Sequence, residues 1–410
     1  MHTMHTFDIT KKPFIIFWEL TRACMLACKH CRAKAQRKRH PDELTTDEVF
    51  STLDQLAEFG QPYPLIVFTG GDPLMRDDIF EIVEHATKKG FRTAIAFSGT
   101  KLATKQRLEK LKDAGIARIA ISLDGSNAEI HDFFRGVTGT FETSLEILRI
   151  ARELEISTQI NTTVSTYNLL DLPNIMRIGI ENGVILWDVF FIVPTGRAKT
   201  EYMPSAQEFE DVLCWLYDVA RETPLNVKSS AATHLRRVEY MRDQDSYDIE
   251  TCELYQTLKN KLDEIKEEMG FGSRTGETTE GEIGEISESK AVVAGAHGRS
   301  MARDGIRRMM GITDGRGMFF ISHVGEVYPS GFLPIVAGNV RENTLKNIYM
   351  TSKIFVELKD PDNLKGKCGR CEFRYLCGGS RARAYAMTGD YLAAEPRCIY
   401  KPRGGEIIIP

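Results

Sequence analysis

The chain has 410 residues, 42% of them hydrophobic and 27% charged, the balance of a folded protein, and its length suits one large α/β domain with an appendage or two to three domains. Lys and Arg total 53 against 57 Asp and Glu, a net charge of −4, which argues against the basic field of a non-specific nucleic-acid binder. No stretch approaches the roughly 18 uninterrupted apolar residues of a membrane span, and the N-terminal segment lacks an apolar signal region; a cytoplasmic protein with neither nucleic-acid nor membrane partner is expected.

In chain order, short β-branched and apolar runs at 14–20, 65–69, 93–97, 117–123, 158–164 and 186–193 alternate with amphipathic runs at 45–59, 77–89, 104–114, 141–154, 170–181 and 205–222. This alternation predicts six βα units and a parallel sheet. Thr45 and Ser205 fit helix N-caps, and Gly60, Gly90, Gly115 and Gly183 stand where helices should stop. Right-handed crossovers would curl such units into a sheet or partial barrel, with function at the carboxyl ends of the strands. The chemically distinctive residues fall there. A cysteine triplet follows the first strand, Gly70-Gly71-Asp72-Pro73 the second, Ser98-Gly99-Thr100 the third, Asp124-Gly125 the fourth and Pro194-Thr195-Gly196-Arg197 the sixth; Asn161 lies within the fifth.

Residues 223–270 read as a charged helical segment, and 271–300, rich in Gly, Glu, Ser and Thr, as a flexible loop. From Met318 the pattern MFFISHVGEVYPSGFLP predicts a hairpin turning at Val324-Gly325-Glu326. The expected division is a core over 1–222, a bridging segment over 223–316 and a small module over 317–410.

Nine cysteines in a reducing compartment point to metal or catalysis rather than disulfides. Cys24, Cys28 and Cys31 supply three thiolates on one loop. Structural zinc wants four ligands, whereas a cubane cluster held by three keeps one iron open; a zinc site completed by His30 or His40 is the alternative. Cys368, Cys371, Cys377 and Cys398 supply four thiolates, enough for a [4Fe–4S] centre or for zinc, and spacing does not separate the two. Cys214 and Cys252 stand apart as single thiols.

The C-x3-C-x2-C triplet after a first strand resembles the signature of radical S-adenosylmethionine (SAM) enzymes, and the resemblance extends over nearly the whole chain. It implies an α/β fold, a partial (β/α)6 barrel with a small C-terminal Fe–S module, and a [4Fe–4S] cluster whose open iron binds SAM. Cleavage of that cofactor yields a 5′-deoxyadenosyl radical that abstracts hydrogen from substrate. By resemblance, the backbone at Gly70 and Gly71, with Asp72 where the family has Glu, would hold the methionine ammonium. Ser98 would contact the ribose, Ser122, Asp124 and Arg135 the ribose and carboxylate, and Asn161 the adenine region. The C-terminal segment, with Gly338-Asn339-Val340-Arg341 and Cys377-Gly378-Gly379, resembles a SPASM-type module. Ser330 and Ser380 stand where relatives often carry Cys, which implies one auxiliary [4Fe–4S] cluster rather than two.

The runs Trp18 to Cys24, Lys29 to Ala33, Gln159 to Thr163, Val193 to Arg197 and Gly379 to Tyr385 resemble the haem synthase and haem d1 branch. That implies an oxidoreductase that decarboxylates the propionates of a tetrapyrrole such as iron-coproporphyrin, supplied with electrons by a low-potential donor such as ferredoxin or flavodoxin. Lys228, His234, Arg236 and Arg237 are candidates to bind propionates or an iron, set against an ordinary solvated helix face; His234 is the one candidate for a catalytic role. The alternatives are a maturase acting on a ribosomal peptide and a non-enzymatic metal-cluster protein.

Overall fold

A computed structural model describes residues 7–271 and 311–404. The loop expected at 271–300 lies outside the described residues from 272 onward. The first half alternates β1 (Ile15–Thr21), α1 (Thr46–Ala57), β2 (Leu65–Gly70), α2 (Ile79–Lys88), β3 (Thr93–Phe97), α3 (Lys105–Asp113), β4 (Arg118–Ser122), α4 (Ala128–Arg135), α5 (Thr140–Glu153), β5 (Thr158–Val164), α6 (Leu172–Glu181), β6 (Leu186–Phe191) and α7 (Ala206–Glu222). There follow β7 (Asn226–Ser230), α8 (His234–Asp243) and α9 (Glu253–Glu268), then β8 (Met318–Ile321), β9 (Glu326–Tyr328) and β10 (Gly338–Asn339). Four short helices close the described chain: α10 (Leu345–Thr351), α11 (Lys353–Lys359), α12 (Gly366–Gly369) and α13 (Arg381–Thr388).

The helix starts are chemical. Thr45 and Ser205 each form a reciprocal capping box, with Glu48 and Glu208 respectively, so two orphan amide donors are satisfied at each start.

The strands form one ten-stranded sheet in the order β10-β9-β8-β1-β2-β3-β4-β5-β6-β7. Strands β1 to β7 run parallel, and β8 adds in parallel to the free edge of β1, Ile15 opposite Met318. β9 folds back antiparallel on β8, as the hairpin pattern required. The sheet is open, with β7 and β10 at its edges, which is the architecture of a partial barrel.

Alternation sorts the side chains. Ile16, Trp18, Leu20, Ile66, Phe68, Ile95, Ile119, Ile121, Ile160, Trp187 and Val189 are buried with the helices in one continuous core. The intervening positions face the other way and are polar toward the strand ends. Register sets Ser122 opposite Asn161, Asn161 opposite Asp188 and Asp188 opposite Lys228, a polar row across four strands.

Two elements differ from the sequence expectation. Residues 226–230, read as part of a helical segment, form β7 because five residues pair with the open edge of β6. Residues 128–135, which lie outside the amphipathic runs named above, form α4, capped by the Asn127 side chain and closed at Gly136.

Candidate active site and a second thiol site

The three early cysteines ride on the loop that leaves β1. Two glycines let that loop lie against β2: a Cβ on Gly70 would stand 2.4 Å from the Thr21 carbonyl oxygen and one on Gly71 2.4 Å from that of Ala23. Gly71 and Asp72 donate their amides to the Thr21 and Ala23 carbonyls at 2.8 and 2.7 Å. From the other side, amides of Ala27 and Lys29 reach the Arg135 and Phe134 carbonyls at the end of α4, which would otherwise lack partners. Gly196 packs on the Cys31 carbonyl, where a Cβ would again come within 2.4 Å, and Arg197 N donates to that carbonyl at 2.9 Å. Strand ends β2 and β6 and helix α4 therefore clamp one loop.

Cys24 and Cys28 are buried, and Cys31 is half-buried. Burial pushes the Cys24 and Cys28 thiols above their ordinary pKa. Each thiol has a polar neighbour: Leu26 N at 3.3 Å and Ser98 Oγ at 3.4 Å for Cys24, Arg135 Nη1 at 3.8 Å for Cys28, and Ala35 N at 3.5 Å for Cys31. Ser98 also donates to the Gly71 carbonyl at 3.1 Å, joining β3 to the β2 turn.

Behind the thiols lies a buried ion pair. Asp124, with no exposed surface, pairs with Arg135 and accepts from Thr163 N at 2.7 Å. Its own amide donates to His131 Nδ1 at 3.1 Å, and burial drives His131 down to about 4, so its imidazole is neutral. His30 stacks on Phe134 at 4.4 Å with Nε2 3.9 Å from Asp124, and burial holds it well below the usual imidazole value. In this arrangement Asp124 orients Arg135 toward Cys28.

Asp72 turns inward. Its carboxylate accepts from Thr100 Oγ1 at 2.9 Å and Leu74 N at 3.1 Å, and burial raises it to about 6. Ser122 and Asn161 lie side by side on β4 and β5, Asn161 accepting from Gln159 Nε2 at 2.7 Å.

Cys368, Cys371, Cys377 and Cys398 line one small void together with His234 and Arg237. Burial raises the Cys371 and Cys398 thiols to about 12. Cys368 Sγ accepts from Glu395 N at 3.3 Å, and Thr233 Oγ1 stands 3.6 Å from Cys377 Sγ. The void is tied to the barrel by Arg383, which is fully buried. It donates to the Phe191 carbonyl at 3.1 Å, to that of Ile192 at 3.3 Å and to that of Ala231 at 2.6 Å, and pairs with Glu395 at 3.2 Å.

Residues 18–177 match the family model described as the radical SAM superfamily. The AdoMet-dependent heme synthase of Methanosarcina barkeri is 38% identical over 394 residues, 96% of this chain and 98% of that protein. The chain belongs to the radical SAM superfamily, in the family of these heme synthases. A second AdoMet-dependent heme synthase, from Nitratidesulfovibrio vulgaris, is 37% identical over 95% of this chain and 93% of its own. Among solved structures, Streptococcus suis SuiB bound to S-adenosylmethionine aligns with TM-score 0.64 at 15% identity, covering 95% of this chain and 78% of that one, a likeness of fold.

As a radical SAM enzyme the protein uses SAM and a [4Fe–4S] cluster, and the first thiol set suits that group. Three thiols stand on one loop with amide, hydroxyl and guanidinium neighbours of the kind that stabilise cluster sulfur, at the strand-end face. The second set suits a cluster as well, since four thiols and two nitrogen-bearing side chains surround one void.

The four basic candidates of the bridging segment separate. His234 is 1% exposed, lies in the wall of the second thiol void, and burial takes it down to about 3. Arg237 beside it is 1% exposed and paired with Glu210 at 2.5 Å, and Arg236 donates to the Leu376 carbonyl at 3.3 Å, so neither belongs to a solvated helix face or a barrel mouth. Lys228 alone of the four stays on the barrel's inner face, 2.8 Å from Asp188 and half-exposed.

Sequence reasoning missed three features. Glu19, buried on β1, holds Arg32 at 3.0 Å and His323 Nδ1 at 2.7 Å, linking β1, the cysteine loop and the segment after β8. Arg383 lies inside the Gly379 to Tyr385 run without having been marked, and Glu395 sits on no motif. Arg197, although within a noted strand-end segment, was not marked, yet its Nε and Nη2 are buried without a hydrogen-bond partner among the described residues. Arg197, at a strand end beside glycine, carried a signal that could have found it.

Proposed function

We propose that Cys24, Cys28 and Cys31 hold the [4Fe–4S] cluster that binds SAM, that Cys368, Cys371, Cys377 and Cys398 hold one auxiliary [4Fe–4S] cluster, and that the enzyme oxidatively decarboxylates the propionates of iron-coproporphyrin III to vinyl groups. The observation that carries this reading is similarity to AdoMet-dependent heme synthases along essentially the whole of both chains. Each propionate gives up one hydrogen atom, one carbon dioxide and one electron. When bound, the first cluster with SAM supplies the hydrogen-abstracting radical and the auxiliary cluster an electron acceptor.

The chain's own residues position and neutralise. Arg135, fixed by Asp124, presents a guanidinium beside the first thiol set, suited to the cofactor's carboxylate. Gly71 O and Ser98 supply acceptors for the methionine ammonium and the ribose, and the row Ser122, Asn161, Asp188 and Lys228 lines the sheet's inner face where a large planar substrate would lie. Arg197 and Lys228 are the cations best placed for propionates, since Arg197 has unmatched donors and Lys228 is half-exposed. Asp72 acts by shaping the turn. Reduced thiols fit a cytoplasmic setting, with a ferredoxin or flavodoxin class of donor.

The test is anaerobic turnover of the reconstituted protein with a strong reductant, SAM and iron-coproporphyrin III, with mass spectrometry of nucleoside and porphyrin. Formation of 5′-deoxyadenosine with stepwise loss of formic-acid equivalents from the porphyrin is expected. Formation of 5′-deoxyadenosine over an untouched porphyrin would overturn the substrate and bring a peptide forward.

A further inference from the structure

The wall of the C-terminal void contains a polar group that nothing in the protein satisfies. His234 opens α8, is 1% exposed, and has neither ring nitrogen hydrogen-bonded among the described residues. Buried polar atoms are almost always paired, and an orphaned imidazole inside a protein carries an uncompensated desolvation cost. The same void is lined by four cysteines. One turn further along α8, on the same face, Arg237 also lines the void and leaves its Nε without a partner while another nitrogen is held by Glu210. Two residues of one helix face with unpaired nitrogens thus line a space bounded by thiols, and Thr233, immediately before, places its hydroxyl 3.6 Å from Cys377 Sγ.

We propose that His234 donates a ring N–H to the sulfur of the auxiliary cluster, and through that bond raises the cluster's reduction potential so that it accepts an electron readily. This rests on the auxiliary-cluster reading above. Four thiolates already complete the four irons of a cubane, so the imidazole has no iron left to bind, and a neutral imidazole always keeps one N–H to give. Hydrogen bonds to cluster sulfur stabilise the reduced, more negative state. His234 is in this sense a positioning residue, acting on the group that receives the substrate's electron.

The experiment uses the full chain carrying Cys24→Ala, Cys28→Ala and Cys31→Ala, so that only the C-terminal cluster contributes. Its reduction is followed by EPR in a redox titration, in this parent and with His234→Gln and His234→Phe added; iron and zinc are quantified in each. The Phe variant should keep its iron and titrate at lower potential, the reduced-to-oxidised ratio at a fixed potential falling about tenfold, equivalent to about 59 mV for one electron. The Gln variant, which retains an N–H, should lie closer to the parent. In protein carrying ¹⁵N-histidine, pulsed EPR of the reduced cluster should detect one weakly coupled nitrogen that His234→Gln removes. An unchanged potential in a fully loaded Phe variant, no nitrogen coupling in the parent, or a strong coupling characteristic of direct ligation would each overturn the proposal. Zinc in place of iron in the parent would instead overturn the auxiliary-cluster reading itself.

Discussion

The two thiol sites use the same ligand atom and differ in closure. The first gathers three thiols on a single loop and leaves its remaining side to the strand-end face, where Arg135 and Arg197 keep buried donors without a partner among the described residues. The second draws four thiols from the C-terminal segment and gathers them beside α8, with Arg383 and Glu395 bolting the assembly to the ends of β6 and β7. An incomplete set of three invites a fourth participant and hence chemistry, whereas a complete set of four is confined to holding and passing electrons.

The largest expected break in that comparison comes from Cys24→Ala, Cys28→Ala or Cys31→Ala. Each should abolish 5′-deoxyadenosine formation in a chromatographic assay, and retained turnover in any of them would remove the distinction. Cys368→Ala or Cys377→Ala should instead cost about one four-iron cluster by iron analysis while the SAM-dependent spectral change of the first cluster persists.

Arg383→Ala tests the bolt between the regions. Removing one partner of a buried ion pair costs about 3–5 kcal/mol, so anaerobic denaturant unfolding should show a loss of that order, together with a lower yield of the second cluster. Arg135→Gln tests the first site's positioning pair. It should lower kcat/KM about 10–100-fold and leave Asp124 buried without its counter-charge, with iron content the control.

The smallest effect is a pH dependence. Burial lowers folded His131 to about 4 from an ordinary 6.5, so between those values the unfolded chain binds more protons and stability rises with pH. Stability should therefore fall as the pH drops from about 6.5 toward 4, by at most about 1.4 kcal/mol per pH unit from this group. Asp72, raised to about 6, works in the opposite sense: it favours the fold below its unfolded pKa and withdraws that support as pH rises through about 6. The comparison of wild type with His131→Gln isolates the histidine, whose variant should show the shallower acid loss; equal slopes would contradict a neutral buried imidazole.

The six βα units and the hairpin were legible to within one or two residues because each rests on local signals: β-branched runs, capping boxes at Thr45 and Ser205, and turn glycines. The Cys24, Cys28, Cys31 and Cys368, Cys371, Cys377 groups were legible for the same reason, since their spacing is local, whereas Cys398 joins the second void only through the tertiary fold. β7 was misread, and the burial of His234 was not legible, because a charged, weakly patterned segment gives no sign of whether it will lie in water or in a wall; the open edge of β6 and the void of the second site decided that.

The sequence by itself determined the repeating units, the face on which the chemistry gathers and the number of thiols in each site. Only the tertiary structure decided that β8 would complete the edge of β1 from some 300 residues away, that Glu19 would bind Arg32 and His323, that Arg383 would join strand ends to Glu395, and that an imidazole would face the second thiol set. Those outcomes depend on which distant surfaces meet. A backbone edge or a buried charge takes whatever partner the closed fold supplies, and no local periodicity encodes that choice.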